Sequence, residues 1–461
     1  MTEPDLLVIG GGTAALAAAF AARKAGSSVT MVSDGEPGGD CTFTGCVPSK
    51  ALIEQAAAGA DYATAHAHLT TVVARIARAE SAEVLRRGMG IDVVDGRARF
   101  VAPRTVEVDG RRLSASKVVL ATGSGPAVPP IPGLADVDPL TNETVFDLSE
   151  PPSSLAILGG GAIGVELAQV FARFGVAVTV VEAMPRLCGR AEPEASDVVE
   201  AALRRDGVDV RTDVKCTGVR REGRDVVLAT EAGDVRAEQV LVAVGRRPLT
   251  SDLGLATAGI AVDDSGAVVT DDRLRTTADG VWAAGDVTDR MQFTHAAYAM
   301  GTLCAVNALG TVPGTFDTRA IPWVTFTSPE VAQVGLTEAE AAQRHPGAKV
   351  ATYPMRELDR AIIAGAEDGF VKLVCAPRGG RFVPSRIGWA GGGEVVGATI
   401  VAPRAGEMIG EVAFAMRTRA FTGRLAQTVH AYPTWSMAVQ QTAAQFFGGY
   451  GGRTPRPARA D

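Results

Sequence analysis

Two stretches of this sequence, LLVIGGGTAA from Leu6 and LAILGGGAIG from Leu155, read as the same opening of strand, glycine turn and helix. Together they predict an α/β fold built on two doubly wound Rossmann-type domains. The spacing repeats as well: Gly10 and Ser33 are 23 positions apart, as are Gly159 and Glu182, and each interval closes on a second apolar strand, SSVTMVS or VAVTVVE. A third observation is the order of the strand ends that follow, ATGS at 121–124, AVGRRP at 243–248 and GVWAAGD at 280–286, each an apolar run stopped by a glycine turn.

In the first copy, DLLVI is a short buried strand, the apolar run 13–25 a helix, and SSVTMVS its return. In the second, SLAIL precedes a helix through Phe174 and then VAVTVVE. Gly10, Gly12 and Ala15 in the first copy, and Gly159, Gly161 and Gly164 in the second, let the backbone approach a pyrophosphate at the positive helix N-terminus. Two dinucleotide sites are therefore expected. The acidic residue ending the second strand ordinarily holds the adenosine ribose. Glu182 fills that place in the second copy and would repel a 2′-phosphate, so NADH is expected over NADPH, with Arg186 close enough to leave NADPH possible. In the first copy the place falls to Ser33, with Asp34 beside it.

The bulk composition narrows the class. Hydrophobic residues make up 46% and charged residues 21% of 461, with a net charge of -7, a globular balance sufficient for about three domains. No basic block points to nucleic acid, and no stretch offers the roughly 18 apolar residues of a membrane span. Glu3 and Asp5 stand where the positive region of a signal peptide belongs. A cytoplasmic protein handling small molecules is expected.

GGDCTFTGCVPSK, from residue 38, sets Cys41 and Cys46 five apart. Residues five apart on an ideal helix lie about 8–9 Å apart between Cα atoms, whereas a disulfide wants about 4.4–6.8 Å. A bridged pair cannot lie on a regular helix, and Gly45 would distort the turn. Helix would settle from about Val47, leaving Cys46 near an N-terminus that favours a thiolate, with Lys50 on the same face. A metal half-site and two inert thiols are the other readings. The remaining four cysteines are scattered and only five histidines exist, a poor basis for structural zinc, and no metal site is expected.

These motifs resemble the flavoprotein pyridine nucleotide-disulfide oxidoreductase family, and most nearly its dihydrolipoamide dehydrogenase and mercuric reductase branch. The resemblance runs from Leu6 to about Phe447 and includes IPWVTFTSPEVAQVGLTE at 321–338, similar to the start of that family's dimerisation domain. It implies a homodimer with FAD in the first copy, lined by Gly39, Lys50, Thr122, Gly123, Asp286 and His295, and NAD(P)H in the second, with Gly245 alongside. It further implies that Cys41 and Cys46 form a redox disulfide, Cys46 being the charge-transfer thiol and Cys41 the one that meets substrate, and that Lys50 pairs with Glu166 beside the flavin. The domains would be an FAD domain at 1–150 and 271–318, an NAD(P)H domain at 151–270, an α+β dimerisation domain at 319–447 and a disordered tail at 448–461.

The C-terminal motif departs from the family. Thiol-reducing members carry HxHPTxxxE, an acid–base histidine oriented by a glutamate; here HAYPTWSM has Tyr432 and Met437 in those places, and His430 matches only the first histidine. A tyrosine with a pKa near 10 is a poor base, yet it can donate a hydrogen bond or touch a metal ion. Tyr432 is expected to line the disulfide pocket. Mercuric reductases add a C-terminal cysteine pair that this tail lacks. The expected activity is transfer of hydride from NAD(P)H through FAD to Cys41–Cys46 and on to a small disulfide, a soft metal ion or another thiol-reactive acceptor. A diaphorase-like quinone reductase acting from the flavin, and a non-catalytic flavin-bound partner subunit, are the alternatives. The glycine-rich segment 378–401 reads as a lengthened hairpin.

Overall fold

The computed structural model describes residues 3–310, 312–378 and 389–460. The chain divides into two compact units, one of Met1–Pro130, Leu134–Pro152 and Gln239–Phe316, the other of Ile131–Gly133, Ser153–Glu238 and Asp317–Asp461.

The first unit is built on a five-stranded sheet, in the order Val281–Ala283, Val118–Leu120, Leu6–Ile9, Val29–Ser33, Ile91–Asp95. All its pairs are parallel, Leu7 facing Val118 on one side and Thr30 on the other. The three central strands are buried throughout, as expected of parallel strands covered on both faces. Helix Thr13–Lys24 packs against helix Thr294–Leu309. The first compact unit takes in Gln239–Phe316. Leu255, Ala258, Ile260 and Val268 belong to the same core as Leu7, Ile9 and Val118, so segment 239–270 is held in this unit by apolar burial, which a linear motif does not reveal.

The second unit repeats the opening, with Ser154–Leu158, Ala177–Val181 and Asp209–Arg211 in parallel, and adds a six-stranded antiparallel sheet. Met408, Ile409 and Val412 of helix Ala405–Arg417 fill its core with Leu373, Ile400 and Ala438. Strands Phe370–Ala376 and Glu394–Ala402 form the base of the expected hairpin; its residues 379–388 lie outside the described residues. The tail expected to be disordered is ordered: Arg456–Pro457 adds a strand against Lys349 and Val350. Arg456 reaches Glu338, 2.8 Å from Nη2 to Oε2, and Glu338 also meets the buried Lys372 at 3.2 Å. A long-range ion pair outweighs the glycine-rich composition. Among the described residues, no helix is long and apolar enough to cross a membrane.

Candidate active site

The redox motif forms a broken helix. A short helix spans Gly39–Phe43, Thr44 and Gly45 leave helical geometry, and helix Cys46–Ala57 begins at the second cysteine, one residue before the expected start. The break requires glycine at 45, where a Cβ would lie 2.8 Å from the Asp40 carbonyl oxygen and 3.2 Å from Cys41 Cα. Both cysteines are free thiols, Cys41 half-buried and Cys46 exposed. The hydrogen bond with Cys46 pushes the Cys41 thiol pKa up, and burial adds to it. The two sulfurs lie within hydrogen-bonding reach of one another. Cys46 Sγ also lies 3.2 Å from Thr294 Oγ1, at the first residue of helix Thr294–Leu309. Thr294 had no signal in the sequence, since its hydroxyl reaches the thiol across 248 positions.

Lys50 lies on the same helix as Cys46. Glu166, on helix Ala162–Arg173, is buried and accepts a hydrogen bond from the Phe326 amide at 2.8 Å. The two residues belong to different compact units. His295 is exposed in the first turn of its helix and stacks on Phe293 at 5.7 Å between ring centres.

In the first copy the glycines expected to receive a dinucleotide stand at a helix end and the turns beside it. Gly12 caps helix Thr13–Lys24 with no side-chain hydrogen bond, so the positive helix end is open to an anion. Gly39 closes on it, with a Cβ there only 2.7 Å from Gly12 Cα. Gly10 turns the chain at φ 121° and Gly123 at φ 75°, and Ala15 is fully buried in the helix. Ser33 is buried and its hydroxyl fills the space beside Gly11, while Asp34 is taken up by Arg97 at 2.7 Å. Thr122 donates to the Leu249 carbonyl at 2.8 Å. Asp286 accepts from Ser124 Oγ at 2.7 Å; burial raises its pKa against that bond and the charge of Arg246. An uncapped helix end, a glycine cradle and a half-buried carboxylate fit FAD.

In the second copy, Glu182 stands beside Gly160 as Ser33 stands beside Gly11. Its carboxylate accepts from the Gly160 amide at 2.6 Å and the Met184 amide at 2.7 Å. Gly159 turns at φ 106°, Gly161 caps helix Ala162–Arg173 and Gly164 is buried within it. Arg186 donates to the Gly189 carbonyl at 3.0 Å. Gly245 turns at φ 141° and lies in the first unit.

The C-terminal motif acquires carboxylates from elsewhere in the second unit. The Tyr432 hydroxyl donates to Asp359 Oδ2 at 2.9 Å, and this bond, with the charge of Asp359, raises the phenol pKa. Tyr432 is 68% exposed in the single chain. His430 is held by Glu411, with both oxygens 3.0 Å from Nε2, and its Nδ1 lies 3.0 Å from the Thr428 carbonyl. Met437 opens helix Met437–Ala444. Among the described residues, no group of three or more His, Cys, Asp or Glu is arranged to hold a metal ion.

The comparisons with known proteins agree with this geometry. The family described as pyridine nucleotide-disulphide oxidoreductase matches residues 4–301, and its dimerisation domain matches residues 321–443. The chain is 38% identical to a mercuric reductase of Streptomyces lividans, over 96% of each chain, and 34% identical to a dihydrolipoyl dehydrogenase of Thermus scotoductus, over 96% of this chain and 97% of that one. Among solved structures it is similar to the HOCl-induced flavoprotein disulfide reductase RclA from Escherichia coli in its Cu(II) complex, with a TM-score of 0.87 at 29% identity over 96% of this chain and 99% of that one. It is similar also to LpdA from Mycobacterium tuberculosis, with a TM-score of 0.86 at 28% identity over 96% of this chain and 99% of that one. The fold and these matches define a flavin-dependent oxidoreductase that uses NAD(P)H. The chain belongs to class I of the pyridine nucleotide-disulphide oxidoreductase family.

Proposed function

We propose that this enzyme uses NADH, in preference to NADPH, to reduce a thiol-reactive acceptor at Cys41 and Cys46. The acceptor is a small disulfide, a soft metal ion or a related electrophile. The observation that carries this reading is the contact between the two thiols across a helix break that only glycine fits, with the Thr294 hydroxyl on Cys46. FAD, when bound, supplies the ring that relays two electrons between the nicotinamide and the sulfurs.

The residues take the following parts. One hydride from NADH and one proton from solvent convert the Cys41–Cys46 disulfide to two thiols. These thiols pass two electrons to the acceptor and release or transfer two protons as the S–S bond re-forms. Thr294 donates a hydrogen bond to Cys46 when it is a thiolate, and Cys41 meets the acceptor. Lys50, on the same helix as Cys46, and Glu166 would tune the flavin. Tyr432 of the partner subunit supplies a protonated hydroxyl, because Asp359 favours the phenol over the phenolate. NADH preference is supported by the Glu182 carboxylate, which would repel a 2′-phosphate. A soft metal acceptor is supported by the mercuric reductase relatives and by the Cu(II) complex of RclA.

An anaerobic NADH titration followed by visible absorption tests the reading. The first two electrons are expected to leave the flavin oxidised and to produce a long-wavelength thiolate-to-flavin band. Bleaching of the flavin first, with no such band, would take the cysteines off the path. The second reading, direct quinone reduction from the flavin, would then lead; the replacement of the acid–base histidine by a tyrosine of raised pKa favours it.

A further inference from the structure

Asp40 immediately precedes the first redox cysteine, and its carboxylate ties together three separate parts of the first unit. Oδ1 accepts from Thr44 Oγ1 and from Asn142 Nδ2, the latter at 3.0 Å. Oδ2 accepts from Arg246 Nη2 at 2.6 Å. The same Asn142 amide reaches the Thr44 carbonyl at 3.3 Å, and the Thr44 amide donates to the Asp40 carbonyl at 2.9 Å. The turn from residue 40 to residue 44 is thus held at both ends by one carboxylate and one amide. Neither partner is free to wander. Asn142 is 6% exposed, and the Arg246 side chain is 13% exposed and donates at 2.8 Å to both Oγ and the carbonyl of Ser124.

The clamp coincides with the break in the helix. Cys41 follows Asp40, Cys46 follows Gly45, and the two residues between the helices are Thr44 and Gly45. Glycine permits the close turn, but permission does not hold it, because a glycine hinge samples many conformations. The Asp40 carboxylate restricts it from the side-chain end. We propose that Asp40 is a positioning residue for the thiol–disulfide step, holding the turn at which Cys41 and Cys46 meet through Arg246, Asn142 and Thr44. This rests on the reading of the two cysteines as a redox pair.

The consequence is thermodynamic. Two thiols already held together form a disulfide with a high effective concentration, whereas a loosened turn must be ordered each time the bond closes. Weakening the clamp therefore moves the equilibrium toward the dithiol. The step to be measured is exchange with oxidised dithiothreitol: the two cysteine S–H groups give up two electrons and two protons, the protein S–S bond forms, and the cyclic disulfide opens to reduced dithiothreitol.

The flavin-loaded enzyme and its Asp40→Asn and Thr44→Val variants are equilibrated over a range of oxidised-to-reduced dithiothreitol ratios at which the flavin stays oxidised. They are then alkylated and scored for the Cys41–Cys46 bridge by peptide mass. Asp40→Asn is expected to shift the midpoint about tenfold toward the dithiol, about 30 mV for a two-electron couple. Thr44→Val, which leaves Arg246 and Asn142 in place, is expected to shift it about threefold in the same direction and carries the test if Asp40→Asn fails to fold. A merely structural role would lower the melting temperature with midpoints within twofold of the wild type, and that result overturns the proposal. If the wild-type enzyme forms no Cys41–Cys46 bridge at any ratio, the redox-pair reading itself falls and the role of Asp40 falls with it.

Discussion

The Glu182 carboxylate accepts from the Gly160 and Met184 amides at 2.6 and 2.7 Å, and in the proposed reading the same group faces the adenosine ribose. Glu182→Gln keeps the shape and removes the charge that opposes a 2′-phosphate. The ratio of kcat/KM for NADH over NADPH should fall about tenfold, equivalent to ~1.4 kcal/mol; an unchanged ratio would assign discrimination elsewhere. Tyr432 gives a second prediction. Its phenol pKa is raised by the Asp359 hydrogen bond and charge, so the protonated form persists to higher pH than in a free tyrosine. Asp359→Asn removes that effect, and the alkaline limb of acceptor reduction should move to lower pH. In Tyr432→Phe, acceptor turnover should fall about 100-fold while flavin reduction by NADH in a single turnover keeps its rate. Loss of both rates would contradict a role confined to the acceptor.

At the scale of elements, the second unit is joined through a cluster of buried charge. Lys372, 2% exposed, meets Glu192 and Glu338 at 3.2 Å and Glu194 at 2.7 Å. Helix Pro193–Arg205, the antiparallel sheet and the C-terminal strand converge there. Removing a buried cation leaves carboxylates uncompensated, so Lys372→Ala should cost about 3–5 kcal/mol in a denaturant melt. Arg456→Ala, at the half-exposed edge of the cluster, should cost about 1 kcal/mol. Burial opposes ionisation of Glu338, but the Arg456 hydrogen bond and the charge of Lys372 outweigh it and hold the pKa below that of an ordinary glutamate. A depressed carboxylate contributes stability that is present above its unfolded pKa and is lost as pH falls through the folded value. The Arg456→Ala deficit should therefore shrink as melts are taken to lower pH through the carboxylate range. A deficit constant with pH would show that packing of the terminal strand, not charge, carries it.

At the scale of the whole molecule, the dimerisation domain presents large apolar side chains to solvent in the single chain: Phe414 at 70%, Val429 at 92% and Ile363 at 62% exposure. Exposed apolar surface of this kind marks an interaction face, and the family's dimerisation domain matches these residues. Light scattering on the gel-filtered enzyme should give twice the chain mass. Phe414→Glu combined with Val429→Glu should yield a monomer that still binds FAD but loses acceptor reduction, because the proposed role of Tyr432 is in the site of the partner subunit. A monomer with full turnover would show that one chain completes the site.

The nucleotide units were legible because their signal is local: a glycine turn, an apolar helix and a second strand, complete within about thirty residues, follow from backbone sterics and burial. The cysteine motif was legible for the same reason, down to the break at Gly45. The extent of the first unit and the ordered terminal strand were not, since Leu255, Ile260 and Arg456 declare themselves only by what they pack against. Tertiary structure alone set Thr294 on Cys46 across 248 positions, Asp359 on Tyr432 across 73 and Asn142 on Asp40 across 102. Each of those contacts depends on how separately formed elements stack, and stacking is a sum of many weak apolar contacts that no short motif encodes. The chemistry to be performed was written in adjacent residues; the groups that orient it were chosen by packing.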